Sequence, residues 1–296
     1  MAIIMKNFIT YYYNIIIDQL KKIDSKYEFI INNEKYIFMP FLGDIEKLNK
    51  IYSFLKQRNM YCHEIIINKD NSFITYNNNI PYILIKNNIL SKNFISLNEL
   101  LIYDVPLYYT KKLNWKKNWE EKIDYYEYQM SEFGFKYRKL RECFNYYVGL
   151  CETSISLLNY LSKDEISCNI QHKKINYNES IEDFYNPINI IEDIYVRDIA
   201  EYIKSNYLEN ILSQLEVINI IKNINFSRDE AIIFLSRLLY PNYFFDLYDR
   251  IIKDEIKEER INTCKEKSAQ YETLLKNINI YLINKYNIPS IDWLKN

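Results

Sequence analysis

The residues best able to do chemistry gather between Ile166 and Asp198. An imidazole, His172, follows the apolar run Ile166 to Ile170, and two ammonium groups, Lys173 and Lys174, come directly after it. A carboxylate, Asp193, closes a second extended run, Ile188 to Ile191, and Arg197-Asp198 open a helix just beyond. Histidine ionises near neutral pH, so His172 is a candidate acid or base. Beside an extended apolar run it serves as readily as a hydrogen-bonded structural residue. Asp193 reads either as a site carboxylate or as a turn residue. Arg197 and Asp198 read as an internal ion pair at a helix start, where an aspartate meets the dipole favourably. Trp115 and Trp119 share a helix face at i, i+4, a spacing that predicts packing between lobes ahead of ligand stacking. The five cysteines (Cys62, Cys143, Cys151, Cys168, Cys264) hold no Cys-x-x-Cys pair. Buried thiols in a reducing cytoplasm fit that pattern better than a disulfide framework.

The elements that must position these groups fall into two regions. A first helix is expected to end near Ile23. Tyr27 to Phe41 then alternates apolar and polar residues around Asn32-Asn33, a hairpin turn. Asp44 to Arg58 carries Ile45, Leu48, Ile51, Tyr52 and Leu55 on one helical stripe. Three short apolar runs, Glu64 to Asn68, Phe73 to Tyr76 and Ile80 to Lys86, read as an antiparallel meander. From about Leu97 helical periodicity takes over, strongest at 115–132, 138–161, 197–208, 214–221, 228–239 and 243–262. Ser227 with Glu230 forms a capping box that starts one of these helices, and Pro241 stops it. The exception is a short β-hairpin, 166–193, whose polar loop closes at Asn186-Pro187. The expected division is an N-terminal β-rich lobe with one helix over residues 1–88 and a helical C-terminal lobe over 89–296, joined around Ile85 to Ser91.

Composition narrows the function classes. The 296 residues are 48% hydrophobic, enough apolar surface for a substantial core. Lys and Arg number 38 against 39 acidic residues, with the signs interspersed, so bulk charge offers nothing to nucleic acid or to an anionic membrane. The apolar start, Met1 to Leu20, is interrupted by Lys6, Asn14 and Asp18 and lacks a small-residue cleavage site. It reads as neither a signal peptide nor a membrane span. The expected location is the cytoplasm.

A small antiparallel sheet with one helix, followed by a larger helical lobe bearing a β-hairpin, resembles the α+β, two-lobed protein-kinase-like fold of the aminoglycoside and choline phosphotransferases. Four stretches sharpen the likeness. They are Phe144 to Glu152, Cys168 to Lys174, Asp193 with Val196 to Lys204, and Arg237 to Asp246, which holds Leu238-Leu239-Tyr240-Pro241-Asn242. Their order and spacing over Glu28 to Arg250 resemble the spore-coat-associated branch of that superfamily. The resemblance implies a spore-coat location and a coat protein as partner. For an active member it also implies ATP, magnesium and a phosphate-covering loop. His172 and Asp193 would be the catalytic pair, Asp193 the metal carboxylate, and Asn189, four residues before it, a cofactor-binding amide.

Departures from that pattern are pronounced. The three glycines, Gly43, Gly134 and Gly149, lie away from the first hairpin, whose turn is Asn32-Asn33-Glu34. Catalytic loops of this fold read His-x-Asp, whereas Lys173 and Lys174 follow His172. No phosphate-contacting lysine can be assigned, because Tyr36-Ile37-Phe38-Met39 holds none and Lys35 is out of register. The expectation is therefore a degenerate, non-catalytic phosphotransferase relative that acts by binding. Two alternatives stand beside it. One is an active small-molecule kinase in which Asp183 or Glu182 supplies a displaced carboxylate; the other is a helical scaffold unrelated to kinases.

Overall fold

Asn32 and Asn33 both adopt left-handed backbone, with φ of 51° and 63°, and so make the tight turn that folds β2 (Lys26–Ile31) onto β3 (Glu34–Pro40). Asparagine tolerates this region because its short polar side chain bonds locally. The computed structural model describes residues 2–88 and 93–294. The chain divides into two units. The first comprises Met1–Tyr103, Ile170–Lys174 and Asn178–Glu192; the second comprises Asp104–Asn169, Ile175–Tyr177 and Asp193–Asn296. Of the expected joining segment, residues 89–91 lie outside the described residues.

In the first unit, α1 (Ala2–Tyr13) precedes β1 (Lys21–Ile23), and α2 (Ile45–Gln57) follows β3. Next come β4 (Glu64–Ile66), β5 (Ile74–Asn77), β6 (Ile80–Asn87) and α3 (Leu97–Tyr103). The expected first helix is too long. Asn14, at φ 52°, ends α1, and Lys21 to Ile23 is a strand. All six strands form one antiparallel sheet in the order β1-β2-β3-β6-β4, with β5 also on β6. The last three strands are not a meander, since β4 and β5 each pair with β6 and not with each other. Asp44 caps α2 by accepting from the Lys47 amide. One face of α1 buries Met5, Ile9 and Tyr13 against Tyr27, Phe29, Phe38 and Tyr82 of the sheet. Phe38 is fully buried and stacks on Tyr82 at 4.8 Å; a ring so placed contributes about 2 to 3 kcal/mol.

The second unit is mainly helical. It starts with β7 (Pro106–Lys112), α4 (Trp115–Phe133) and α5 (Arg138–Leu158), and the chain continues through β8 (Glu165–His172), α6 (Ile181–Phe184) and β9 (Ile190–Ile194). There follow α7 (Arg197–Leu208), α8 (Gln214–Lys222), α9 (Arg228–Leu239), α10 (Asn242–Ile252) and α11 (Asn262–Tyr286). β7 falls where helix was expected. Its alternating half-buried pattern pairs with β8, so the expected hairpin is a three-stranded sheet, β7-β8-β9. The expected helix over 243–262 is broken. Asp254, at φ 57°, ends the turn after α10, and the Glu255 amide bonds back to the Arg250 carbonyl. The capping box at Ser227 and Glu230 forms. Ser154 and Ser236 let α5 and α9 approach closely, each hydroxyl donating to the other's carbonyl at 2.7 Å. All five cysteines are buried free thiols. No helix among the described residues is long and apolar enough to cross a membrane.

Candidate functional site

In the first unit the polar groups converge on Glu182. A four-residue helix, α6, carries it, started by Ser180, whose hydroxyl accepts from the Asp183 amide. Glu182 Oε1 accepts from Lys35 Nζ at 2.7 Å and from the Asn87 side-chain amide. Lys35 also lies 3.5 Å from Glu28. Burial lowers the Lys35 pKa, but the two carboxylates more than offset it and the net direction is upward. The lysine at the start of β3 is thus engaged by protein carboxylates. His63 is fully buried below this group: Nε2 donates to the Glu182 carbonyl at 2.7 Å, and Nδ1 accepts from the Asn88 amide at 3.4 Å. Burial pushes its pKa down, so it is a neutral strut. Nothing in the sequence pattern singled out His63, because its partners are main-chain groups distant in sequence.

His172, at the end of β8, is 3% exposed. Its Nε2 donates to the Phe184 carbonyl at 3.1 Å, and its ring stacks on Phe184 at 4.1 Å. Asn189 donates its side-chain amide to the Asp183 carbonyl at 2.9 Å, while its own carbonyl accepts from the Lys173 amide. His172 and Asn189 therefore belong to the same unit, each tied to the α6 segment. Asp183 and Glu182 are also engaged, the first with the Ser180 hydroxyl at 2.8 Å and the second with Lys35 and Asn87.

Asp193 belongs to the second unit, where it lines a cavity of about 470 Å³ with Trp115, Trp119, Lys122, Arg197 and Arg237. Its carboxylate lies 3.6 Å from both Lys111 and Arg197, and it accepts from the Ile194 amide. Behind the cavity wall stands a buried network centred on Glu201. Arg237 Nε donates to Glu201 Oε1 at 2.6 Å, Lys204 Nζ reaches the same oxygen at 3.1 Å, and Asn242 donates to Oε2 at 2.8 Å. Lys204 also donates to the Arg237 and Tyr240 carbonyls and to Asn242 Oδ1, which satisfies it fully. Burial alone would raise Glu201, yet Lys204, Arg237 and Arg197 hold it at about 2. Arg237 lies over the Trp115 ring at 5.0 Å, and Trp119 stacks on Tyr240 at 4.3 Å. Within the second unit the two tryptophans pack on an arginine at a cavity wall.

Asp193, which the resemblance makes the metal carboxylate, fits a divalent cation poorly, because two cations already offset it. Lys35 is held between Glu182 and Glu28.

The fold is that of the aminoglycoside phosphotransferases, an α+β, protein-kinase-like class with an antiparallel-sheet N-terminal region and a helical C-terminal region. Crystal structures of spectinomycin phosphotransferase APH(9)-Ia show the likeness. The AMP-bound complex matches over 90% of this chain and 94% of that one, with a TM-score of 0.58 at 13% identity. The complex with ADP and spectinomycin matches over 90% and 93%, with a TM-score of 0.53 at 12% identity. Within that class, residues 6–278 match the family described as "Spore coat putative kinase YutH", and the chain belongs to that family. The helical scaffold unrelated to kinases is thereby set aside. No curated protein matches the sequence.

Proposed function

We propose that this chain is a kinase-fold protein of the spore coat that works by binding a protein partner there and does not transfer phosphate. The carrying observation is the surroundings of Asp193, where the resemblance puts the magnesium carboxylate. Lys111 and Arg197 flank that carboxylate, and Arg237 lines the same cavity. Those two flanking cations already neutralise the carboxylate, so a divalent cation beside Asp193 gains little attraction from it and meets like charge around it. Three further features agree. Lys173 and Lys174 follow His172 where a carboxylate would accept the acceptor's proton, and His172 commits Nε2 to a main-chain carbonyl. Glu34 sits at the hairpin turn where a glycine loop would cover phosphates.

The test is incubation with labelled ATP and magnesium, offering amino-alcohol, aminoglycoside and protein acceptors, for the wild type and Asp193→Ala. Turnover far below the roughly 1 to 100 per second of working kinases is expected in both. Robust transfer that disappears with Asp193→Ala would overturn the proposal.

A further inference from the structure

The cavity beside Asp193 carries an excess of positive charge that the protein's own carboxylates do not cancel. Its walls come from α4, from the β9–α7 junction and from α9, all inside the second unit. Asp193 is offset by Lys111 and Glu121 by Lys117. Glu201 is shared between Lys204 and Arg237. Asp198 also acts electrostatically on Arg197. With Lys122 exposed at the rim and in no ion pair among the described residues, six cations face four carboxylates, leaving about two positive charges.

Arg237 is presented rather than spent. Nε is fixed by Glu201 at 2.6 Å and the guanidinium plane lies over Trp115. Its two terminal nitrogens make no hydrogen bond among the described residues, although the side chain is only 12% exposed. A guanidinium whose Nε edge is anchored and whose outer edge lines a cavity offers parallel donors to a tetrahedral or planar anion.

We infer that this cavity is a binding site for a phosphate monoester. Such a group carries about −1.5 to −2 charge near neutral pH, which matches the local excess, and three acceptor oxygens, which suit a fork of donors. A volume of about 470 Å³ admits a compact organic body attached to that group. Burial, and then the neighbouring Arg237, lowers the Arg197 pKa, the strain a bound anion would relieve. The polarity is opposite to that needed for a polyamine-like cation. The inference deepens the binding role proposed above and rests on it, but the two fail separately. Phosphate transfer would refute that role and leave this site intact.

The experiment is calorimetric titration of the full chain with phenyl phosphate, with a phosphoserine peptide, and with spectinomycin as a cationic control. Three proteins are compared: wild type, Arg237→Gln and Lys122→Glu. The wild type is expected to bind phenyl phosphate saturably at about 1 mM or below. Arg237→Gln should weaken binding at least tenfold, because one charge-assisted fork is lost, and spectinomycin should not compete. Lys122→Glu alters an exposed rim residue and should weaken binding about threefold with the fold unchanged. Tighter binding of the peptide would make a phosphorylated protein the source of the group, and equal or weaker binding a free metabolite; either supports the site. No saturable binding of a phosphomonoester to folded wild type would overturn the inference. So would affinities unaffected by Lys122→Glu and Arg237→Gln, or tighter binding of spectinomycin.

Discussion

Replacing Glu201 by Gln removes the carboxylate on which Lys204, Arg237 and Asn242 converge inside the second unit. Two magnitudes follow. Truncating one partner of a buried ionic network leaves uncompensated charge and costs about 3 to 5 kcal/mol; Lys204, 1% exposed, has no route to water. Independently, a carboxyl brought from 4.5 to about 2 contributes about 3 kcal/mol at neutral pH. The sign is set by the lowered folded-state value. That stability is fully present above the ordinary pKa and is lost as pH falls through 4.5 towards 2. Urea unfolding of wild type and Glu201→Gln, repeated between about pH 6 and pH 3, separates the effects. The variant should be less stable by about 3 kcal/mol at neutral pH and should lose less stability on acidification than the wild type. A cost below about 1 kcal/mol, or an acid slope identical to wild type, would refute the argument that this network carries buried, mutually compensated charge.

Two further outcomes follow from burial. Asn279 in α11 is fully buried and neither its amide nitrogen nor its oxygen has a hydrogen-bond partner among the described residues. Asn279→Leu should therefore stabilise the protein by about 1 kcal/mol, read as a higher urea midpoint; a destabilised variant would show that the amide is satisfied in solution. The five cysteines are buried, and burial pushes Cys143 up to about 11 and Cys264 to about 12. All five thiols should resist a thiol reagent in the native state and react together in denaturant; rapid labelling of any one without denaturant would contradict its burial.

Local signals carried much of the fold. Asn32-Asn33, Ser227 with Glu230, and Pro241 act over three or four residues, so the turn, one cap and a helix end could be read from neighbours alone. The helices over 197–208 and 228–239 were equally legible, because each repeats its apolar positions at helical spacing along a stripe. Where the expectation failed, the deciding contact was distant or the break was a single backbone angle. β7 is a strand because Thr110 to Lys112 meets Glu165 to Ser167 across the chain. α10 stops at one left-handed aspartate, Asp254, that leaves the apolar pattern unbroken. The functional groups divide in the same way. His172 and Asp193 were visible as residue types beside the extended runs, and the resemblance to the phosphotransferases added Asn189, but neither signal says what holds each side chain. Only the tertiary structure gave the Asp193 carboxylate its two cations, set the Lys35 ammonium on Glu182, and brought the Val196–Lys204 run against the Arg237–Asn242 run. A sequence states which charges exist. Which of them cancel, and which are left facing a cavity, is settled by distances that only packing creates.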